Sequence, residues 1–142
     1  MTFAKDLLRR FFRRKDALAP VSPVCFFFIE KINDPELENT LQPVAETSFT
    51  IGRDPRCALV VRDLGDQDHQ YLARHHARVT RSGEDWLLSS LCNGFTAVDG
   101  TFVRPDANPA VLHPGCQIIL GRTELRFFIT KEQADSYRSA AR

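Results

Sequence analysis

The chain has 142 residues, 43% of them hydrophobic, with a formal net charge of +1 at pH 7. This fits one domain with a normal buried core. No stretch approaches the ~20 apolar residues that a membrane-spanning helix needs. Charge is unevenly placed: residues 1–15 carry Lys5, Arg9, Arg10, Arg13, Arg14 and Lys15 against Asp6 alone, leaving the remainder mildly acidic.

Ala4, Leu7, Leu8, Phe11 and Phe12 follow helical spacing with arginines opposite, so residues 4–15 are expected to form a short basic amphipathic helix. Such a face suits docking in a partner's groove, or peripheral contact with an anionic membrane. Alone in water it is too short to be a stable helix. Four arginines do not define a reader of base edges, so no specific nucleic-acid partner is expected. Arginines also interrupt every apolar run here, unlike a signal peptide. Residues 16–23 read as a linker, because Pro20 and Pro23 deny regular hydrogen bonding. Ser22-Pro23 within it is a conceivable phosphorylation site.

From residue 24 the texture becomes β. Residues 25–29 (Cys-Phe-Phe-Phe-Ile) predict a strand buried on both faces, and residues 33–43 a polar loop. Further strands are expected at 48–51, 58–61, 76–81, 86–89, 101–103, 117–120 and 124–130. Asp54-Pro55, Ser82-Gly83, Pro105-Asp106, Asn108-Pro109 and Pro114-Gly115 separate them as turn signals. Many short strands with Gly/Pro punctuation predict an all-β sandwich or barrel over residues 24–130. Residues 131–142 are polar and read as a tail, either a short helix or a frayed end. Cys25, Cys57, Cys92 and Cys116 form no C-x-x-C pair, so buried free thiols and a cytoplasmic setting are expected, with the basic helix allowing membrane association.

Four blocks carry the functional signal: Phe49-Thr50-Ile51-Gly52-Arg53, Ala73-Arg74-His75-His76, Asp99-Gly100-Thr101-Phe102-Val103 and Ile118-Ile119-Leu120-Gly121. In this order they resemble the forkhead-associated (FHA) domain, a β-sandwich whose loops bind phosphothreonine peptides. The resemblance covers about residues 24–130. It implies an FHA-like sandwich and a phosphorylated or acidic protein partner. Arg53 would be the principal phosphate ligand, Gly52 allowing the backbone bend before it, and Arg74 a second cation. His76 would hold the loops, with His75 exposed. Ala73 stands where the family usually has serine, which removes one phosphate donor. Thr96 or Gln70 could replace it. Asn93-Gly94 and Asp99-Gly100 compete for the family's Asn-Gly position, which grips the peptide backbone; the amide favours Asn93, and residues 101–103 fit the strand that follows.

Enzyme chemistry has little support: there is no Gly-rich phosphate loop, no G-x-S-x-G and no H-E-x-x-H. Asp63, Asp66, Asp68 and His69 could form a metal site for a phosphatase, but the stretch reads equally as an exposed loop. No metal, cofactor or catalytic residue is therefore expected. The expected function is a non-catalytic adaptor or regulatory module that binds a phosphothreonine or acidic peptide through loop arginines. Two alternatives remain: a degenerate FHA domain binding a folded partner independently of phosphate, and a membrane-recruited scaffold anchored by residues 4–15.

Overall fold

The computed structural model describes residues 22–141, so the amphipathic helix expected at 4–15 and most of the linker lie outside the described residues. Eleven strands form two sheets: β1 (Cys25–Lys31), β2 (Thr40–Val44), β3 (Ser48–Gly52), β4 (Leu59–Val60), β5 (Ala77–Ser82), β6 (Asp85–Ser90), β7 (Thr96–Val98), β8 (Thr101–Phe102), β9 (Ala110–Leu112), β10 (Gln117–Leu120) and β11 (Thr123–Phe128). One sheet has the order β2-β1-β11-β10-β7-β8, the other β4-β3-β5-β6-β9. The fold is an FHA-like, all-β sandwich. The β3–β4 pairing is parallel, whereas β3–β5 and β5–β6 are antiparallel.

Alternation builds the core. Phe49 and Ile51 of β3, Ala77 and Val79 of β5, and Trp86 and Leu88 of β6 point inward to meet Phe27 of β1, Ile118 and Leu120 of β10, and Leu125 and Phe127 of β11. Phe27 meets Phe49 edge-on at 5.9 Å between centroids, and Trp86 packs against Phe127 at 5.7 Å.

Strand β1 is apolar on both sides for a structural reason. Cys25, Phe27 and Ile29 face the core, while Phe28 joins a second cluster with Phe128 and Ala134 on the outer face. That face is covered by a helix, α1 (Lys131–Ala140), so the expected polar tail is an ordered, docked element. Thr130 starts it with a capping box: its side chain accepts from Gln133 N, and Gln133 Oε1 accepts from Thr130 N. The Tyr137 hydroxyl donates to Glu30, which also takes Arg126 Nε at 2.9 Å.

Three strands depart from the expected pattern. Residues 40–43, expected in a loop, form β2 together with Val44; Pro43 is tolerated because β2 is an edge strand. Strands β7 and β9, of three residues each, are too short to show a period. All four cysteines are free; burial pushes Cys25 up to about 12 and Cys116 up to about 11, keeping both as neutral thiols. No helix of the described residues is long and apolar enough to cross a membrane.

Candidate functional site

Strand register gathers three of the four motif blocks, those holding Gly52-Arg53, residues 73–76 and Gly121, at one end of the sandwich. Ile51 pairs with Ala77, and Ala77 with Ser90, so β3 ends where β5 begins and β6 ends. In the other sheet Thr96 pairs with Leu120, and Gly121 N donates to Phe95 O at 2.8 Å.

Gly52 is needed for close approach rather than for a bend. A Cβ there would lie 2.1 Å from Arg74 O. Its absence lets Arg53 N donate to Ala73 O (3.2 Å) and Asp54 N to Arg74 O (3.1 Å), tying two loops together.

His76 is the second tie. It is fully buried; Ala73 N donates to Nδ1 (3.1 Å), which puts the proton on Nε2, and Nε2 donates to Phe95 O at 3.0 Å. Its backbone N donates to Ile51 O and its carbonyl accepts from Leu91 N. Burial lowers the His76 pKa, with the bond to Phe95 acting in the opposite sense, so the ring is neutral at physiological pH. The imidazole thus ties residue 73 to residue 95, the His76 backbone adds residues 51 and 91, and the ring has no exposed edge for catalysis. His75, expected in solvent, is half-buried beside Asp54, Thr50 and Cys57.

The arginines differ in their freedom. Arg53 Nε donates to Leu72 O at 3.0 Å, which fixes the stem of the guanidinium. Among the described residues no carboxylate lies within ion-pair distance of it. Arg74, by contrast, donates to Asp54 Oδ2 at 2.9 Å. Asp54 also takes Arg56 through Nε and Nη2. Bonds from the Arg56 side chain and backbone, with that from Arg74, hold the Asp54 carboxyl well below the usual carboxylate range. Arg56 and Arg74 against one aspartate leave this corner net positive, while Arg53 lines a neighbouring cleft with Arg62, Asp63 and Asp66. Nothing beyond the ordinary look of the sequence flags Asp54, although an acid directly after Gly-Arg, followed by proline, is its one signal.

The segment supplying Leu72 O is itself pinned. Asp66 accepts from the backbone N–H groups of Gln70 (2.6 Å), Tyr71 (2.7 Å) and Leu72 (3.1 Å). Burial alone would raise the Asp66 pKa, but these three bonds outweigh it and the net shift is downward. Asp63 is engaged with Arg122 at 2.8 Å and with Gly65 N. Two of the acids considered for a metal site therefore act as loop struts. Among the described residues no group of three His, Cys, Asp or Glu is placed to hold a metal ion.

The competing Asn-Gly positions separate cleanly. Asn93 is exposed in the loop after β6, and a Cβ on its neighbour Gly94 would lie 3.2 Å from His76 Cε1. Asp99 and Gly100 instead form the β7–β8 hairpin turn, both with positive φ (49° and 83°), where Asp99 Oδ1 accepts from Gln117 N at 2.9 Å. The length of β7 lies between Asp99 and the loop end, so Asp99 is corrected from a peptide contact to a turn residue. Thr96 is corrected too: it is fully buried, with its hydroxyl 3.1 Å from Ser90 Oγ, and presents no hydroxyl at the surface. Gln70 donates to Asp68 at 3.3 Å rather than standing in for the missing serine.

Fold and mouth define a class: a two-sheet sandwich whose loops, tied by a buried histidine, present Arg53 and Arg74 at one end. The sequence model of the family described as FHA domain matches residues 49–121, just over half the chain. The chain belongs to the FHA domain family. No curated protein matches it in sequence. Solved FHA domains share the fold. The N-terminal FHA domain of S. cerevisiae Rad53p, in complex with a phosphothreonine peptide, aligns with a TM-score of 0.61 at 16% identity, covering 82% of this chain and 98% of that one. The FhaA FHA domain, complexed with the intracellular domain of Rv3910, aligns with a TM-score of 0.55 at 22% identity, covering 72% and 98%. An FHA domain of an Arabidopsis thaliana hypothetical protein gives 0.62 at 18% identity, covering 82% and 94%.

Proposed function

We propose that the protein is a non-catalytic interaction module that binds a phosphothreonine-bearing segment of a partner protein at this mouth. Arg53 is the principal phosphate ligand, Asn93 contacts the peptide backbone, and Arg74 adds a second positive charge. One observation carries the reading: Arg53 is anchored through Nε on Leu72 O, with no carboxylate among the described residues within ion-pair distance of it. A guanidinium held by its stem offers its terminal nitrogens as a fork for phosphate oxygens.

Ala73 and the Arg74–Asp54 pair favour a weaker second reading, in which a folded partner binds independently of phosphate. A hydrogen bond to a charged group contributes about 1.5–3 kcal/mol, a factor of roughly 10–150 in affinity, so loss of the serine hydroxyl weakens phosphate binding without abolishing it.

Calorimetric titration of a degenerate phosphothreonine peptide pool and its unphosphorylated twin, on wild type and Arg53→Ala, separates the two readings. Heat that requires both phosphate and Arg53 supports phosphopeptide recognition. Equal response to the two pools rejects it and favours the folded partner.

A further inference from the structure

Exposed large apolar side chains are concentrated at the loop end. Among the described residues they are Leu64, Tyr71, Leu91, Phe95 and Phe102, with Val111 apart from them opposite Leu87 in the β6–β9 pairing. Tyr71, Leu91 and Phe95 sit on segments hydrogen-bonded or packed around His76, and Leu64 lines a cleft with Arg53. Phe95 and Phe102 are 50% and 46% exposed, and their rings stack on each other at 5.6 Å with 10° between planes. The Arg104 guanidinium lies 5.3 Å from the Phe102 centroid.

This platform is built rather than incidental. The Phe95 carbonyl accepts from both His76 Nε2 and Gly121 N, so the backbone beneath the ring is clamped. Phe102 is held on β8 opposite Ala97, at the edge of its sheet. Phe102 and Arg104 also line an open cleft of about 390 Å³ with Pro105, Asp106 and Asn93, the residue proposed to grip the peptide backbone. Apolar surface and an arginine thus adjoin Asn93 at the loop end. Among the described residues Arg104 has no carboxylate within ion-pair distance, Asp106 included.

We propose that Phe95, Phe102 and Arg104 form a second contact for the same ligand: they select phosphothreonine peptides carrying a large apolar or aromatic side chain beside an acidic one. The apolar side chain packs on the stacked phenyl rings and the carboxylate meets Arg104. The inference rests on the phosphothreonine reading above. It also gives the ligand a source of affinity that offsets the hydroxyl missing at Ala73.

The test is a peptide library with fixed phosphothreonine and degenerate flanks, with an unphosphorylated copy, screened against the full chain and against Phe102→Ala and Arg104→Glu. Phe102 and Arg104 are both exposed, and an unchanged thermal midpoint establishes that each variant is folded. Wild type is expected to enrich large apolar residues at one flanking position and acids next to it. Phe102→Ala should weaken the selected peptide by about three- to tenfold while leaving its alanine-flanked counterpart unchanged. Arg104→Glu should erase the acidic preference while phosphate dependence persists. Phosphate-dependent binding with featureless flanks, or enrichment that survives Phe102→Ala, overturns the second contact and leaves the phosphate site standing. Equal binding of the unphosphorylated library overturns the phosphothreonine reading, and this contact with it.

Discussion

At Gly52 a hydrogen in place of a methyl group lets two loops touch. Gly52→Ala would drive Cβ into the Arg74 carbonyl, 2.1 Å away, and backbone cannot swing aside as a long side chain can. We expect a loss of about 3 kcal/mol in urea unfolding and a weakened phosphopeptide response; an unchanged unfolding midpoint would contradict the close-approach account. Position 73 permits the opposite experiment. Its backbone N–H is already committed to His76, so a serine there adds a hydroxyl without disturbing that tie. Ala73→Ser should tighten phosphothreonine binding by roughly tenfold or more, measured calorimetrically against wild type. No gain would mean that residue 73 does not face the phosphate.

Helix α1 depends on a cap and on one small residue. Ala134 is fully buried between Phe28 and Phe128, and Thr130 with Gln133 satisfies the first-turn donors. Thr130→Ala should cost about 1 kcal/mol and reduce hydrogen-exchange protection in residues 131–140. Phosphopeptide affinity should not change, because α1 packs on the outer face of β1 and β11 and not on the loops. Unaltered protection would show that packing alone holds the helix. The strands that sequence patterning missed share a physical cause. Strand β2 is a mixed edge strand containing Pro43, β9 is an edge strand of three residues, and β7 is buried throughout, so none shows a clean two-residue alternation. Strands β1, β3, β10 and β11 were readable because burial on one or both faces dictates their composition.

For the whole molecule, pH should act through the same residues that shape the mouth. The folded pKa of His76 lies below its ordinary value of 6.5, so on acidification the unfolded chain takes up a proton before the folded chain does. Stability from this group is full above about pH 6.5 and declines as pH falls toward the lower folded value. Asp54 and Asp66 are depressed carboxylates; their contribution is present above 3.8 and is lost as pH falls below it. Chemical unfolding across this range should therefore show a first, shallow decline and then a steeper acid loss. In His76→Gln the first decline should vanish although the variant is less stable overall; if it persists, another group is responsible.

Sequence by itself determined the β-sandwich, the FHA resemblance, and the places of Arg53 and His76, because strand burial and Gly-Arg or histidine at loop ends are local signals. It also marked Ala73 as the departure. Only tertiary structure placed Asn93 and Asp99 at opposite ends of β7, since both follow the same Asn/Asp-Gly grammar. It alone buried Thr96, gave Arg74 to Asp54, and hung Arg53 on Leu72 through a segment pinned by Asp66. Those outcomes turn on hydrogen bonds between residues far apart in the chain, which no spacing along it records.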